Sequence, residues 1–402
     1  MASERHVIVA GAGIGGLTAA LALARCGLQT TVFEQAPRLE QAGAGIQLGP
    51  NASRILLALG LGPRLRAMAT APEAIRVMSG SSGREIARIS LGAAVARRYG
   101  APYWVVHRGD LQAALAAAAS EEQAIELKLG IRIDDFAAQA DGVAVRARHD
   151  REAADARAAA LIGADGLWSS VRDRLQRQPP PEFAHRTAWR ATLPADAMPS
   201  EFHGALVHLW LGPGAHLVHY PVKAGRLINV VGIVRDGWQQ QGWSATGERD
   251  DILRHFARGI WSEKARELIA LPERWLKWAL YDGRSPFRGG AGPVTLIGDA
   301  AHPMLPFLAQ GAGMAIEDAA VLADCLARLR NPADALRDYE AVRASRTARA
   351  QHMSRRQGTI YGLGGLEALV RDMGMRLVGG ERLLARQDWL YSWKPPARFL
   401  GT

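Results

Sequence analysis

Residues 11–34, GAGIGGLTAALALARCGLQTTVFE, follow directly on the apolar run HVIVA of residues 6–10. An apolar run, a turn holding Gly11, Gly13, Gly15 and Gly16, an Ala/Leu-rich stretch and a second apolar run ending at Glu34 read as strand, turn, helix and strand. That order makes a βαβ unit, and such units build parallel sheets. Gly11 permits the sharp turn, Gly13 lets backbone approach a pyrophosphate, and Gly16 lets the helix pack closely on the strand. Phosphates would then meet the open N–H groups and the positive end of the helix dipole. Glu34 would accept hydrogen bonds from an adenosine ribose. Any ligand carrying ADP suits this loop, FAD and NAD alike.

A chain of 402 residues has room for two or three packed units. No uncharged apolar run reaches the roughly 18 residues of a membrane span; LTAALALARC is cut short by Arg25. HVIVA starts at residue 6 and leaves no room for a signal peptide, so the expectation is a cytoplasmic protein. Cys26 and Cys325 form neither a CxxC nor a metal spacing, which argues against a disulfide framework, a dithiol centre or a metal site. The formal charge of +10 could draw anionic ligands. Only five of the 49 basic residues are Lys, however, and no basic run interleaved with aromatics occurs, so nucleic acid is not an expected partner.

Further along, GAGIQLGPNASRILLALG reads as a Gly-rich loop entering a helix, with Pro50 and Asn51 in its first turn. RVMSG and REIARISLG, within 76–100, suggest strands. HRGDLQAALAAAA restarts a helix with Asp110 as its N-cap. VAVRARH and AAALIGADG read as a hairpin-like pair. Over 181–284 Trp, Tyr, Pro and His become frequent and strand patterns dominate, which suggests a second, mostly antiparallel unit inserted between parts of the first. PVTLIGDAAHP then returns to a buried strand, and a long helical run follows from 311.

Two later segments separate FAD from NAD. GADGLWSSVR puts Asp165 and Gly166 at a strand end, and TLIGDAAHPMLPFLAQGAGMAIEDAA does the same for Gly298 and Asp299 before a second Gly-rich loop. A ligand needing two strand ends is a long, bipartite one. Asp299 can bond ribityl hydroxyls or the bridging phosphate. The N–H groups of Gly311, Ala312, Gly313 and Met314, at a helix start, point positive charge at the flavin N1 and C2 carbonyl.

GAGIGG, DG and GD in this order resemble the single-component FAD-dependent aromatic-ring hydroxylases, over essentially the whole chain. GAGIQLGPNA, HLVHYPV and HPMLPFLAQGAGMAIEDA are most similar to the group of 3-hydroxybenzoate 6-hydroxylases, salicylate hydroxylases and 6-hydroxynicotinate monooxygenases. The resemblance implies an α/β fold: a Rossmann-like FAD-binding domain (1–75, 100–180 and 285–330), an inserted antiparallel substrate domain (76–99 and 181–284) and a helical C-terminal region (331–402). It also implies that Arg108 of HRGDL, Gly45 and Gln47 lie at the cofactor. Asp165 is the family residue expected to touch both ligands, or else simply forms its Asp-Gly turn. With one usable GxGxxG, NADH or NADPH would visit, deliver hydride and leave. The reduced flavin would take up O2, and a flavin hydroperoxide would hydroxylate an electron-rich ring. A homodimer is likewise expected by resemblance alone.

On a strand, His216, Val218 and Tyr220 of AHLVHYPV share one face, and Leu217 and His219 the other. His216 is the candidate base or hydrogen-bond relay for a phenol, Tyr220 would orient substrate or flavin, and Gln310 would hold the phenol oxygen or a carboxylate. Arg190 and Gln47 are candidates for the carboxylate, and His302 would shape its loop. The favoured reaction is 3-hydroxybenzoate to 2,5-dihydroxybenzoate. Salicylate 1-hydroxylation and hydroxylation of a pyridine or quinoline acid are alternatives, although Phe307 stands where hydroxynicotinate members tend to carry His. A flavin sensor and a membrane-associated quinone hydroxylase with an amphipathic tail complete the set.

Overall fold

The computed structural model describes residues 6–39, 44–139, 141–150, 152–175, 179–240, 242, 245–283 and 289–400. The opening strand His6–Ala10 is apolar on both faces, and it lies at the middle of a parallel sheet covered on both. Across that sheet the order is 294–296, 160–163, 6–10, 29–34 and 125–129. Val7 and Val9 point into one core, and Ile8 and Ala10 into another. The first core is capped by helix Ile14–Arg25, which packs against helix Gly311–Arg328. Both cysteines, which are free thiols, belong to this side.

A small antiparallel sheet covers the other face. Here VAVRARH does not pair with AAALIGADG as a hairpin. Strand Gly142–His149 pairs with Ile131–Gln139 and with Ala156–Ala158, whereas Ala160–Gly163 crosses into the parallel sheet beside the opening strand. Ala160–Gly163 is buried throughout and lacks an alternating polar face, so it pairs where both its faces can be covered.

The Trp-rich region forms most of an eight-stranded sheet. Its order is 245–247, 275–282, 182–194, 227–235, 215–222, 206–212, 74–79 and 85–90, antiparallel except where 206–212 meets 74–79. Segment 76–100 therefore contributes two strands to this sheet, but Gly92–Tyr99 is a helix rather than more strand. Trp189, Trp210 and Trp275 lie on one face, under the helices Arg249–His255 and Glu263–Ala270. Ala188, Arg190, His216, Val218, Tyr220 and Trp278 lie on the other, which turns toward the parallel-sheet unit. The expected limit between 284 and 285 falls outside the described residues.

Helix Pro332–Tyr361 starts on an Asn331 cap, its side chain accepting from the Ala333 and Asp334 N–H groups. The tail helix Gly365–Ala385 follows. Its residues Leu366, Leu369, Val370, Met373 and Leu377 are exposed, so the amphipathic tail packs on the core with only part of its apolar surface. Among the described residues no helix is long and apolar enough to cross a membrane.

Candidate active site

Gly11 sits at φ +102°, and a Cβ there would come 2.6 Å from the Ala164 carbonyl oxygen. A Cβ on Gly16 would fall 1.9 Å from the Gly11 carbonyl oxygen, so helix and strand touch because no side chain separates them. Gly13 is different: nothing lies within 4 Å of its Cβ position, and the open space belongs to a cavity. Gly15 packs on Ala315 across the two helices. Glu34 accepts from the Ala12 N–H (2.8 Å) and the Ala36 N–H (2.9 Å), which ties the second strand to the glycine turn. Each carboxylate oxygen keeps a further lone pair for a ribose hydroxyl.

The second loop is held from behind by buried charge. Asp318 accepts from the Gly298 N–H (2.9 Å), His302 (2.6 Å) and Arg343 (2.7 Å). Glu317 takes Arg343 (2.7 Å), Arg346 (2.6 Å) and Asn51 (2.7 Å). Burial pushes the Asp318 carboxyl up, but the charges of His302 and Arg343 outweigh it and leave it at about 2. This network joins three helices to the strand end at Gly298, and His302 shapes the loop through Asp318. The sequence did hint at it: a Glu-Asp pair inside an otherwise apolar helix must find buried partners. What the pattern could not supply was Arg343 and Arg346.

Three expectations need correction here. The Met314 N–H donates to the Gln310 carbonyl (2.8 Å) as the first bond of helix Gly311–Arg328; the helix itself leaves open those of Gly311, Ala312 and Gly313. The Gln310 side chain does not face the ring site. It is 2% exposed, and its Oε1 accepts from Asn51 Nδ2 (3.0 Å) and packs where a Cβ on Gly313 would go. Asp110 is not an N-cap: helix Arg108–Glu121 starts two residues earlier, and Asp110 pairs with Lys223 from the large sheet.

The two loops and the face of the large sheet enclose one cavity of about 360 Å³, within the usual range for small-molecule sites. Gly13, Gly15, Arg108, Asp299, Gly311 and Ala312 line one side; Arg190, His216, Tyr220 and Trp278 line the other, with Gly45 and Gln47 between them. Gly45 gives its space to the ring of Tyr220, which would lie 2.5 Å from a Cβ there. Gln47 accepts a hydrogen bond from the Tyr103 hydroxyl and also bonds Tyr220. Burial raises Asp299, with His302 and Arg108 opposing. Burial also raises Tyr220, which stays protonated. His216 packs against the rings of Phe307 and Tyr361, each 5.3 Å away and in edge contact with one another, and burial with the Arg186 charge lowers it to about 3. A larger apolar chamber of about 830 Å³ adjoins the site, sharing Gln47, His216 and Val218 and reaching under the tail helix.

Asp165 lies beside the cavity residues Ala164 and Gly166, but its carboxylate accepts from Ser169, Ser170 (3.1 Å) and the Val171 N–H (3.2 Å). It therefore opens the short helix Ser170–Leu175. His219, on the opposite sheet face, stacks on His208 at 4.4 Å. Tyr103 and Trp278 went unnoticed in the sequence; neither stands in a pattern that distinguishes a cavity aromatic from a core one.

Residues 4–356 match the model of a family described as an FAD binding domain. The chain belongs to that family. Among similar proteins, 3-hydroxybenzoate 6-hydroxylase 1 of Aquipseudomonas alcaligenes is 38% identical over 390 residues, 96% of this chain and 98% of that one. The 3-amino-4-hydroxybenzoate 2-monooxygenase of Streptomyces cremeus is 38% identical over 388 residues, 96% of this chain and 94% of that one. The crystal structure of HpxO of Klebsiella pneumoniae complexed with FAD and uric acid is 28% identical and superposes with a TM-score of 0.82, over 95% of each chain.

This chain is thus a flavoprotein monooxygenase with FAD as its cofactor. The residues present fit that group. The cradle at Gly13 is open, the helix start at Gly311–Gly313 offers N–H groups to an electron-rich ring edge, and Asp299, beside Gly311, lines the same cavity.

Proposed function

We propose that this monooxygenase hydroxylates a small hydroxylated aromatic acid, using O2 and NADH or NADPH, and that its favoured reaction is 3-hydroxybenzoate to 2,5-dihydroxybenzoate. A ring C–H becomes C–OH, the second oxygen atom leaves as water, and NAD(P)H is oxidised. The observation that carries this reading is the facing of His216 and Tyr220 across one cavity from both glycine loops. The names of the relatives support the ring class.

When bound, FAD supplies the electron transfer and the activation of O2. The chain supplies position and polarity. His216 is neutral through the physiological range because its ring nitrogen is held at about 3. A phenol O–H is a far weaker acid than an imidazolium lowered in this way, so complete transfer of its proton to this imidazole is strongly uphill. His216 therefore accepts a hydrogen bond from the phenol O–H and enriches the ring without taking the proton outright. Tyr220, held protonated, orients the ring or the flavin as a donor. Phe307 beside His216 offers no polar partner to a ring nitrogen, which favours a benzoate over a pyridine acid. Salicylate stays the alternative substrate.

Substrate-dependent NADH and NADPH oxidation with 3-hydroxybenzoate, salicylate, 4-hydroxybenzoate and 6-hydroxynicotinate, with product identification, tests the reading. Formation of 2,5-dihydroxybenzoate from 3-hydroxybenzoate is expected. Stimulated oxidation without a hydroxylated product from any of them would overturn it.

A further inference from the structure

The sheet face that carries His216 and Val218 does not end at their own strand, Ala215–Val222. Val218 is opposite Leu209, and Leu209 is opposite Val77. Val207 is opposite Ile75, and Ile75 is opposite Ile89. Directly paired residues point to one face of a sheet, as do residues two apart on a strand, so Val207, Leu209, Ile75, Val77 and Ile89 continue the face of Val218. Every one of these side chains is aliphatic. Three strand spacings carry this floor about 14 Å, from the strand of His216 to the edge strand Glu85–Ser90.

The floor belongs to the chamber of about 830 Å³, more than twice the volume of the cavity between the glycine loops and the sheet, about 360 Å³. His216, Val218 and Gln47 line both, so the two spaces meet where the ring is to react. Val370, Met375 and Val378 of the tail helix line the chamber as well. Among the described residues the sheet adds no charged side chain to it; the charged lining, Glu367, Arg371 and Arg386, comes from the tail. Arg371 is already engaged, donating to Asp372 (2.8 Å) and to the carbonyls of Ile360 (3.2 Å) and Tyr361 (3.3 Å). A charged or hydrated group laid on the floor would give up water and find no partner there, whereas an apolar group gains by the same burial.

We propose that the chamber is a subsite for an apolar substituent on the substrate ring, so that the enzyme takes alkyl-substituted hydroxylated aromatic acids and binds them more tightly than the unsubstituted ring. The ring stays at His216, and the substituent runs from Val218 over Leu209 and Ile75. This rests on the reading of the smaller cavity as the site for a hydroxylated aromatic acid; 3-hydroxybenzoate fits the same site and leaves the chamber unused.

The test titrates FAD-loaded enzyme with benzoate and with its 2-, 3- and 4-butyl derivatives, read by the flavin absorbance change, in wild type, Leu209→Trp and Ile75→Phe. At least one butyl isomer is expected to bind wild type about 30-fold more tightly than benzoate, since each fully buried methylene is worth roughly fourfold. Leu209→Trp, which fills the floor beside Val218, is expected to bring that ratio within about 3-fold while benzoate itself binds as before. Ile75→Phe, one strand further out, is expected to fall between. No gain for any isomer in wild type, or a gain that survives in both variants, would overturn the assignment. Should Leu209→Trp lose FAD or benzoate, Ile75→Phe decides by the same ratio. Because none of these probes carries the phenol needed for turnover, failure to hydroxylate 3-hydroxybenzoate would refute the substrate reading while leaving the subsite measurable.

Discussion

His216 illustrates how burial chooses a role for a residue. A histidine near its ordinary 6.5 would lose its neutral form as the medium becomes acidic; one lowered to about 3 keeps it. Turnover of the correct ring is therefore expected to show no limb from His216 between pH 5 and 8. His216→Ala should lower kcat by about 100-fold with FAD retained, the range for losing a group that handles a proton in the transition state. A steady-state pH profile of both proteins checks this. An inflection near 6.5 that disappears in the Ala variant would show that the imidazole titrates in the working enzyme. Gln310 teaches the opposite lesson. Its place before the loop was legible, but its direction was not, because Asn51, 259 residues away in sequence, takes its amide oxygen.

The glycine turn and its helix act as a unit, and two substitutions separate their tasks. Gly16→Ala would drive a Cβ to 1.9 Å from the Gly11 carbonyl oxygen, a backbone clash present with or without cofactor. Gly13→Ala meets nothing within 4 Å in the chain itself. Apoprotein melting is therefore expected to drop for Gly16→Ala, by several degrees or to loss of folding, and to hold within about 2 °C for Gly13→Ala. FAD affinity, measured by flavin fluorescence, should fall at least 10-fold in both. Equal loss of apoprotein stability would mean that Gly13 serves packing after all. Helix spans and the alternation of His216 with His219 could be read because they follow from periodicity. Helix starts were less legible: Asp110 carries the residue type of an N-cap but lies in the first turn, drawn to Lys223 on another unit.

At the scale of the whole molecule, three histidines of the large sheet are buried without charge. His208 and His216 are lowered to about 3 and His219 well below its ordinary value, in each case first by burial. The unfolded chain takes up protons on them as pH falls through 6.5, whereas the folded chain keeps His208 and His216 neutral until about 3 and His219 neutral well below its ordinary value. Stability is thus present above about pH 7 and lost on acidification, by up to about 1.4 kcal/mol per pH unit for each histidine once the unfolded state is protonated. Asp318, depressed to about 2, adds its own loss only below about pH 4. Melting temperature between pH 8 and 5 should decline accordingly, and replacing His208 and His219 by Gln should flatten the decline by roughly two-thirds. A flat wild-type profile would count against their burial.

What the sequence by itself determined is the backbone: a βαβ opening, a second strand end at Asp299, a long helix after it and a Trp-rich sheet between. These follow from short-range sterics and from the period of apolar residues, both written locally. Only the tertiary structure decided which side chains share the cavity. Gln310 turned to Asn51, Asp165 to Ser169 and Ser170, and Arg190 came into the row of Val218, two strands away. The physical reason is competition: a polar side chain at a loop or strand end has several acceptable directions, and the nearest partner selects one, whether it is remote in the chain, as for Gln310, or a turn away, as for Asp165.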